Sequence, residues 1–439
     1  MPNREIIQYR DLDDLKQRTN GILHIEPEDR KVWVLNKERV QVEYVIDDLL
    51  YTALYSESAE LREAIHPIIL QIAAQMGNPS STLNAVYEAT AGTSDAEFAI
   101  PAISLPVLTY DAARVVFRVK SGNPKAPVIF SIPVPEQGIA SRQLTEYTDC
   151  ILAASVKEQQ ADDGWGPIYL QGILPAVNPE EYSDDPDETI KRYTDMIDSA
   201  ISAGIYNFIV DASALVNYNK KTATARQRLN ARVIAAILGH TRSVEPKKVQ
   251  STVHASLGNI TRLNSHDDPR ALIRRIEKEG NKKLSERLSL FVACPEISSE
   301  SGEESAIDWA PLQEIAEYSR HKRGVAGIAW NCDTLLEEEV LKTLPSHGVV
   351  EYHTENRFDD FILNHNLLPE SIRNSYTAVG SGYESEQVTR VSEDISFEEP
   401  YYRWLPRHLW GKTYKNRKQI LEDLKRQVGS LFRSLGIKT

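Results

Sequence analysis

The chain of 439 residues is poor in cysteine: Cys150, Cys294 and Cys332 are its only thiols. An odd number so scattered builds no disulfide framework, and no Cys-x-x-Cys pair is present to hold zinc, so buried thiols are expected. Long apolar runs are missing too. None approaches the ~18–20 residues of a membrane span, and Met1-Pro2-Asn3-Arg4-Glu5 has no signal-peptide pattern. A cytoplasmic protein with no membrane partner is the expectation. Gly-x-x-x-x-Gly-Lys, Gly-x-Gly-x-x-Gly after a strand and His-Glu-x-x-His are all absent, which removes the physical parts of nucleotide loops and zincin sites.

Positive charge is short overall, with Lys+Arg 50 against Asp+Glu 63 and a net charge of −13. Such a surface repels nucleic acid and anionic lipid at long range. Residues 401–439 reverse the sign, with ten Lys/Arg against only Glu422 and Asp423. A basic tail beside an acidic body is expected to dock on that body or on a partner subunit. Tyr401, Tyr402, Trp404, Trp410 and Tyr414 lie among these charges and could stack bases, but the charge of the rest argues against a nucleic-acid partner. Leu421, Leu424, Val428, Leu431 and Leu435 recur at helical spacing, which predicts an amphipathic C-terminal helix with an apolar stripe to bury, here or in an oligomer contact.

What the chain does have is a repeating alternation of short apolar β-type runs and helical segments. The runs are Phe98–Ser104, Pro127–Ile132, Ile168–Gln171, Tyr206–Asp211, Val249–Ser256, Leu288–Cys294, Val325–Trp330 and Val349–His353. Strand–helix units repeated in this way predict parallel pairing with right-handed crossovers, and eight of them predict a closed (β/α)8 TIM barrel. One unit shows the logic. Asp185-Pro186-Asp187-Glu188 offers an N-cap, a proline at N1 and an acid at N3; Ile190, Tyr193, Ile197 and Ile201 form one stripe; Gly204 supplies a left-handed exit.

The expected organisation is an N-terminal extension (1–45), polar and irregular with one β-like patch at Val32–Leu35, then a helical cap (46–97), the barrel (98–378), and a linker loop with a C-terminal helical tail (379–439). Two helices, Asp47–Tyr55 and Ser58–Met76, are expected to cap the barrel floor. In such a barrel chemistry sits where the strands end. Gly172-Ile173-Leu174, Asp211-Ala212-Ser213, Ser256, Glu296, Asn331 and the stretch His353 to Arg357 are therefore expected to face one pocket. The candidate lining is Asp211, Ser213, His254, Glu296, Asn331, Asp333, Thr334, His353 and Arg357.

The stretches Gly166-Pro167-Ile168-Tyr169-Leu170-Gln171-Gly172, Ala203 to Ser213, Arg228-Leu229-Asn230, Leu108 to Arg114, Glu351-Tyr352-His353, Trp410-Gly411-Lys412 and Leu431 to Gly436 resemble class II fructose-bisphosphate aldolases of a longer bacterial type. The resemblance runs diffusely from about residue 46 to the end. It implies the same barrel, a dimer or larger oligomer, and a zinc ion held by three His that polarises a ketose carbonyl while a carboxylate moves the proton. This chain departs from that pattern at each essential position. After Gln171-Gly172 the family's acid and first ligand are replaced by Ile173 and Leu174; a further position holds Ser256; the remaining two ligands align with Glu296 and Asn331. Zinc is expected from the family, but its ligands are missing, so no cofactor is expected.

The last two strand-end loops read as acidic, with Asp333, Glu337, Glu338 and Glu339 at one and Glu351, Glu355, Asp359 and Asp360 at the other, opposed only by Lys342 and Arg357. An anionic bisphosphate is disfavoured there unless partner residues contribute. A replacement metal site could draw on His254, Glu296, Asp211 and His353; the alternative is that the histidines are satisfied interior groups and Asp211 caps a turn. No lysine is placed for a Schiff base, and Cys294 and Cys332 sit beside acids that raise a thiol pKa. Two functions follow as expectations. The first is a pseudoenzyme of the aldolase type, cytoplasmic and oligomeric, that binds, assembles or regulates. The second is a diverged carbon–carbon lyase of carbohydrate metabolism acting on a carbonyl or sugar-phosphate ligand with a relocated site.

Overall fold

The computed structural model describes residues 5–26, 31–42, 44–90, 98–135, 140–160, 164–264, 266–280, 285–286, 288–293, 307–323, 325–331, 336–354, 357–370, 373, 403–407 and 413–439. Cys294, Glu296, Cys332, Asp333, Thr334, Glu355, Trp410 and most of the expected linker lie outside the described residues.

The described residues among the first 45 form more regular structure than their polarity suggests. Helix α1 (Leu12–Arg18) is capped by Asp11, whose side chain accepts from the Asp14 N–H. An antiparallel pair, β1 (Leu23–Ile25) and β2 (Val32–Val34), and helix α2 (Lys37–Val42) follow. Tyr9, Leu15, Ile22, Leu23 and Val32 are buried, irregularly spaced along the chain, so no periodic stripe announces them. They pack beside α3 (Val45–Tyr55) and α4 (Ala59–Gln75). Backbone donors tie them down: the Ile7 N–H reaches Asp48 Oδ1 and the Tyr9 N–H reaches Thr52 Oγ1, both at 2.9 Å. Ser58 caps α4 through the Leu61 N–H. A two-residue strand, β3 (Ser80–Ser81), and a short helix, α5 (Asn84–Thr90), complete this part.

All eight runs anticipated from the sequence are strands, their ends coinciding or shifted by at most three residues: β4 (Ile100–Ser104), β5 (Ile129–Pro133), β6 (Ile168–Ile173), β7 (Asn207–Val210), β8 (Thr252–Ser256), β9 (Leu288–Ala293), β10 (Gly327–Trp330) and β11 (Val349–His353). Each pairs in parallel with its sequence neighbour, and β11 closes on β4. The chain is a (β/α)8 barrel. The intervening helices are α6 (Thr109–Lys120), α7 (Ala140–Glu158), α8 (Pro179–Asp184), α9 (Pro186–Ser202), α10 (Ala223–Arg226), α11 (Arg228–Val244), α12 (Asp267–Glu279), α13 (Ala310–Arg323), α14 (Glu338–Thr343) and α15 (Arg357–Leu363).

The unit around α9 forms as its residues dictate. Asp185 Oδ1 accepts from the N–H groups of Asp187 and Glu188, a cap worth about 1 kcal/mol, and Pro186 occupies N1. Gly204 leaves the helix at φ +83°, where a side chain is strained, and a Cβ there would crowd Leu70.

Alternation along the strands sorts side chains into two cores. Outward residues such as Leu170, Phe208, Val253, Phe291 and Tyr352 join the helices in the larger one. Inward residues Ile100, Ala102, Ile129, Tyr169, Ile209, Leu290 and Val292 form a second cluster inside the barrel. Leu83 and Tyr87 belong to this inner cluster, so the segment leading into α5 plugs the barrel floor. Asn207, at the start of β7, fixes the plug: its Oδ1 accepts from the Leu83 N–H at 2.8 Å and its amide reaches the Ser81 carbonyl at 3.1 Å. The expected floor helices are elsewhere. Helices α3 and α4 pack on the outer layer against α7, and Lys157 of α7 bonds Asp47 of α3 at 2.5 Å.

The C-terminal helix, α16 (Tyr414–Ser434), lies along α6 in the same direction, with Arg417 on Asp111 and Thr439 beside Gly122. A Cβ at Gly122 would fall 2.2 Å from the Thr439 backbone, so that position admits no side chain. Ile420, Leu424, Val428, Leu431 and Phe432 are buried against the barrel wall, each contributing about 2 kcal/mol. The stripe is therefore satisfied within the chain and is not available as an oligomer contact. Just before it, the Arg403 carbonyl accepts from the Tyr110 N–H, and Trp404 meets Tyr110 edge-on at 4.8 Å.

Candidate functional site

The polar groups that converge lie inside the barrel, between the floor plug and the strand ends. Glu351 is the hub, fully buried on β11. His353, two residues on and so on the same strand face, brings Nε2 to 3.2 Å from Glu351 Oε2. His254 comes from β8, with Nε2 at 3.3 Å from Glu351 Oε1. Gln171 of β6 donates its amide to Oε2 at 3.3 Å. From below, the Tyr87 hydroxyl donates to Oε1 and lies 3.1 Å from His254 Nε2. With both imidazoles protonated on Nε2, four side chains direct donors at one carboxylate, which is how an interior charge becomes tolerable without water. That tautomer also explains why the Nδ1 atoms of His254 and His353 are buried without partners: each then carries only a lone pair.

Burial, reinforced by the neighbouring His353, lowers the His254 pKa to about 3, so this imidazole is neutral at ordinary pH. Burial pushes the Glu351 carboxyl upward, while the hydrogen bond from His353 Nε2 pulls it back. Opposed shifts on touching groups are a proton-holding arrangement, but each member already answers another member.

The remaining candidates scatter around the mouth. Ile173, partly exposed, packs on the inner apolar cluster at the end of β6. Leu174 faces the other way and is 2% exposed in the outer core. Ser256 is buried at the end of β8, and its carbonyl accepts from Asn230. Asp211 Oδ1 accepts from the Ser213 N–H at 2.9 Å and holds the turn over 213–215, so neither side chain joins the interior cluster. Asn331 is half-buried, with an unpartnered Oδ1. Arg357 opens α15, and its guanidinium lies over Phe358. Of the sequence candidates among the described residues, His254 and His353 meet, and they meet at Glu351.

Glu351, counted in the sequence both in the run Val349–His353 and among the acids around the last strand end, faces the barrel interior and not the loop, and Asp359 is likewise buried. The signal for Glu351 was present in the two-residue period from His353. Gln171, two before Ile173, follows the same rule, whereas nothing local marks Tyr87.

Of the positions from which the resemblance implies that zinc is held, Glu296 lies outside the described residues. The acid and first-ligand positions are hydrocarbon, and among the described residues no group of three His, Cys, Asp or Glu is arranged for a metal ion. His254, His353 and Glu351 have suitable donor atoms, yet both Nε2 atoms are turned to the carboxylate they would have to accompany. Among the described residues no helix is long and apolar enough to cross a membrane.

No family model and no curated protein matches the chain. Among solved structures it is similar to a fructose-bisphosphate aldolase from Campylobacter jejuni, at 15% identity and a TM-score of 0.47, covering 83% of this chain and 97% of that one. It is also similar to a fructuronate-tagaturonate epimerase from Cohnella laeviribosi, at 12% identity and a TM-score of 0.47, covering 89% and 90%. At that level a likeness says nothing of chemistry, which rests on this chain's own residues.

Proposed function

We propose that this chain is an aldolase-like barrel without metal-dependent aldol chemistry, serving as a binding, assembly or regulatory subunit in the cytoplasm. One observation carries the reading: the positions that supply acid and first ligand in the resembled family hold Ile173 and Leu174, one packed on the inner core and the other buried in the outer one. Neither can move a proton or grip a cation. The interior histidines support the same reading, because their Nε2 atoms answer Glu351 rather than the mouth. An assembly surface, for a second copy or another protein, then lies elsewhere than the stripe of α16.

A second reading is a lyase with relocated chemistry on a carbonyl or sugar-derived substrate. It is favoured by Glu351, pushed upward by burial and in contact with His353 near the mouth. Elemental analysis of the purified protein, with nuclear magnetic resonance assays of phosphorylated ketoses, separates the two. The first reading expects no stoichiometric zinc, manganese or iron and no cleavage. A stoichiometric ion together with turnover overturns it, and turnover lost in Glu351→Gln establishes the second.

A further inference from the structure

A cavity of about 240 Å³ lies on the barrel flank between α6 and α16, lined by Asp111, Arg114, Arg118, Tyr414, Arg417, Lys418 and Leu421. Four cations and one carboxylate in one small cavity are an unusual concentration in a chain of net charge −13. The guanidiniums are held in place from behind. Glu158 of α7 accepts from Arg114 Nε at 2.5 Å and from Arg118 Nε and Nη2 at 2.8 and 2.7 Å. Asp111 accepts from Arg417 Nε at 3.0 Å and also from its Nη2, while Nη1 of Arg417 reaches the Tyr414 hydroxyl at 3.3 Å. Arg407 adds a fifth cation over the Tyr414 ring, 4.7 Å from its centre.

Two carboxylates thus anchor three guanidiniums and leave charge over. Among the described residues both terminal nitrogens of Arg114, Nη1 of Arg118 and the ammonium of Lys418 have no hydrogen-bonded partner. Guanidiniums locked by one edge lose little freedom when the other edge meets an oxyanion, and their fork geometry matches phosphate. The cavity is smaller than the ~300 Å³ at which sites for drug-sized ligands begin, which favours a compact ion.

From this geometry we infer that the cleft between α6 and the C-terminal helix binds a small multivalent phosphate anion. The ligand bridges the barrel wall and α16, so its binding strengthens the docking of the helix. The inference is independent of what the barrel interior does. Calorimetric titration of the full chain with pyrophosphate and with inorganic phosphate tests it. Saturable one-to-one binding is expected, tighter for pyrophosphate, together with slower proteolysis of the C-terminal segment. Lys418→Gln, an exposed change that breaks no ion pair, weakens pyrophosphate binding by about threefold to tenfold. Arg118→Gln combined with it removes binding, and Lys425→Gln on the same helix leaves it unchanged. No saturable binding of pyrophosphate up to about 10 mM, or equal binding by wild type and the Lys418 variant, overturns the inference.

Discussion

The pair Arg417–Asp111 is where the basic tail meets the acidic body, and its removal has a calculable cost. Asp111 is 1% and Arg417 14% exposed at the side chain, and the contact has two hydrogen bonds. Breaking a buried pair by deleting one partner costs about 3–5 kcal/mol, because the survivor keeps its charge without compensation. Arg114 stands close enough to Asp111 to feel its charge and relieves part of that penalty. Arg417→Met is therefore expected near the low end, about 3 kcal/mol. Asp111→Asn leaves a buried guanidinium facing an amide and is expected to cost about 2 kcal/mol. The double variant removes both charges and keeps the volume, so it is expected to cost about 2 kcal/mol as well, a coupling of roughly 3 kcal/mol. Urea denaturation of the four proteins, followed by tryptophan fluorescence, measures this cycle. Single effects that add to within about 0.5 kcal/mol refute the reasoning and reduce the contact to an ordinary surface pair.

Tyr87→Phe removes one donor from Glu351 and a neighbour of His254, and is expected to destabilise the fold by about 1.5–3 kcal/mol in the same assay. A neutral outcome would mean that the interior carboxylate does not need the phenol. Lys120, buried at the end of α6 with its ammonium 5.8 Å from the centre of the Trp165 ring, has a pKa lowered by burial to about 8. The unfolded chain thus binds the extra proton between about pH 8 and 10.5, and this lysine costs stability that is regained as pH rises through that window. Lys120→Met is expected to stabilise by about 2–3 kcal/mol at pH 7 and by almost nothing above pH 10.5; a gain independent of pH would exclude burial of charge as its cause.

The barrel was legible in the sequence because its strands are covered on both faces. A run such as Leu288–Ala293 has every residue buried, inward and outward alike, and reads as apolar β-type chain interrupted by Ser289 alone. The caps of α9 were equally visible, since Asp185, Pro186 and Gly204 act through the local backbone. What could not be read is non-local. The floor plug exposes no long stripe, because its short segment brings just Leu83, Tyr87 and the partly buried Val86 to the inner cluster. Helices α3 and α4 carried a clear apolar signal, but the signal specifies that they bury a face and not which element receives it.

The interior cluster shows the same limit from the side of charge. Glu351 reads in the sequence beside Glu355, Asp359 and Asp360, and a glutamate is rarely buried, so neighbours and residue type both point to solvent. What overrides them is the convergence of donors from β6, β8, β11 and the plug, with Tyr87 and Glu351 separated by 264 positions. Only the closed barrel brings these together. The converse holds on the flank, where the basic tail was conspicuous as a run of charge but its partners on α6 and α7 were not. In both places the fold gathers like or unlike charges that the sequence holds apart. The interior carboxylate is answered by the donors around it, whereas the cations of the flank outnumber the carboxylates that hold them. The donors around the interior carboxylate leave no surplus of positive charge, whereas the flank keeps one, so the wall of this barrel suits an anion better than its centre.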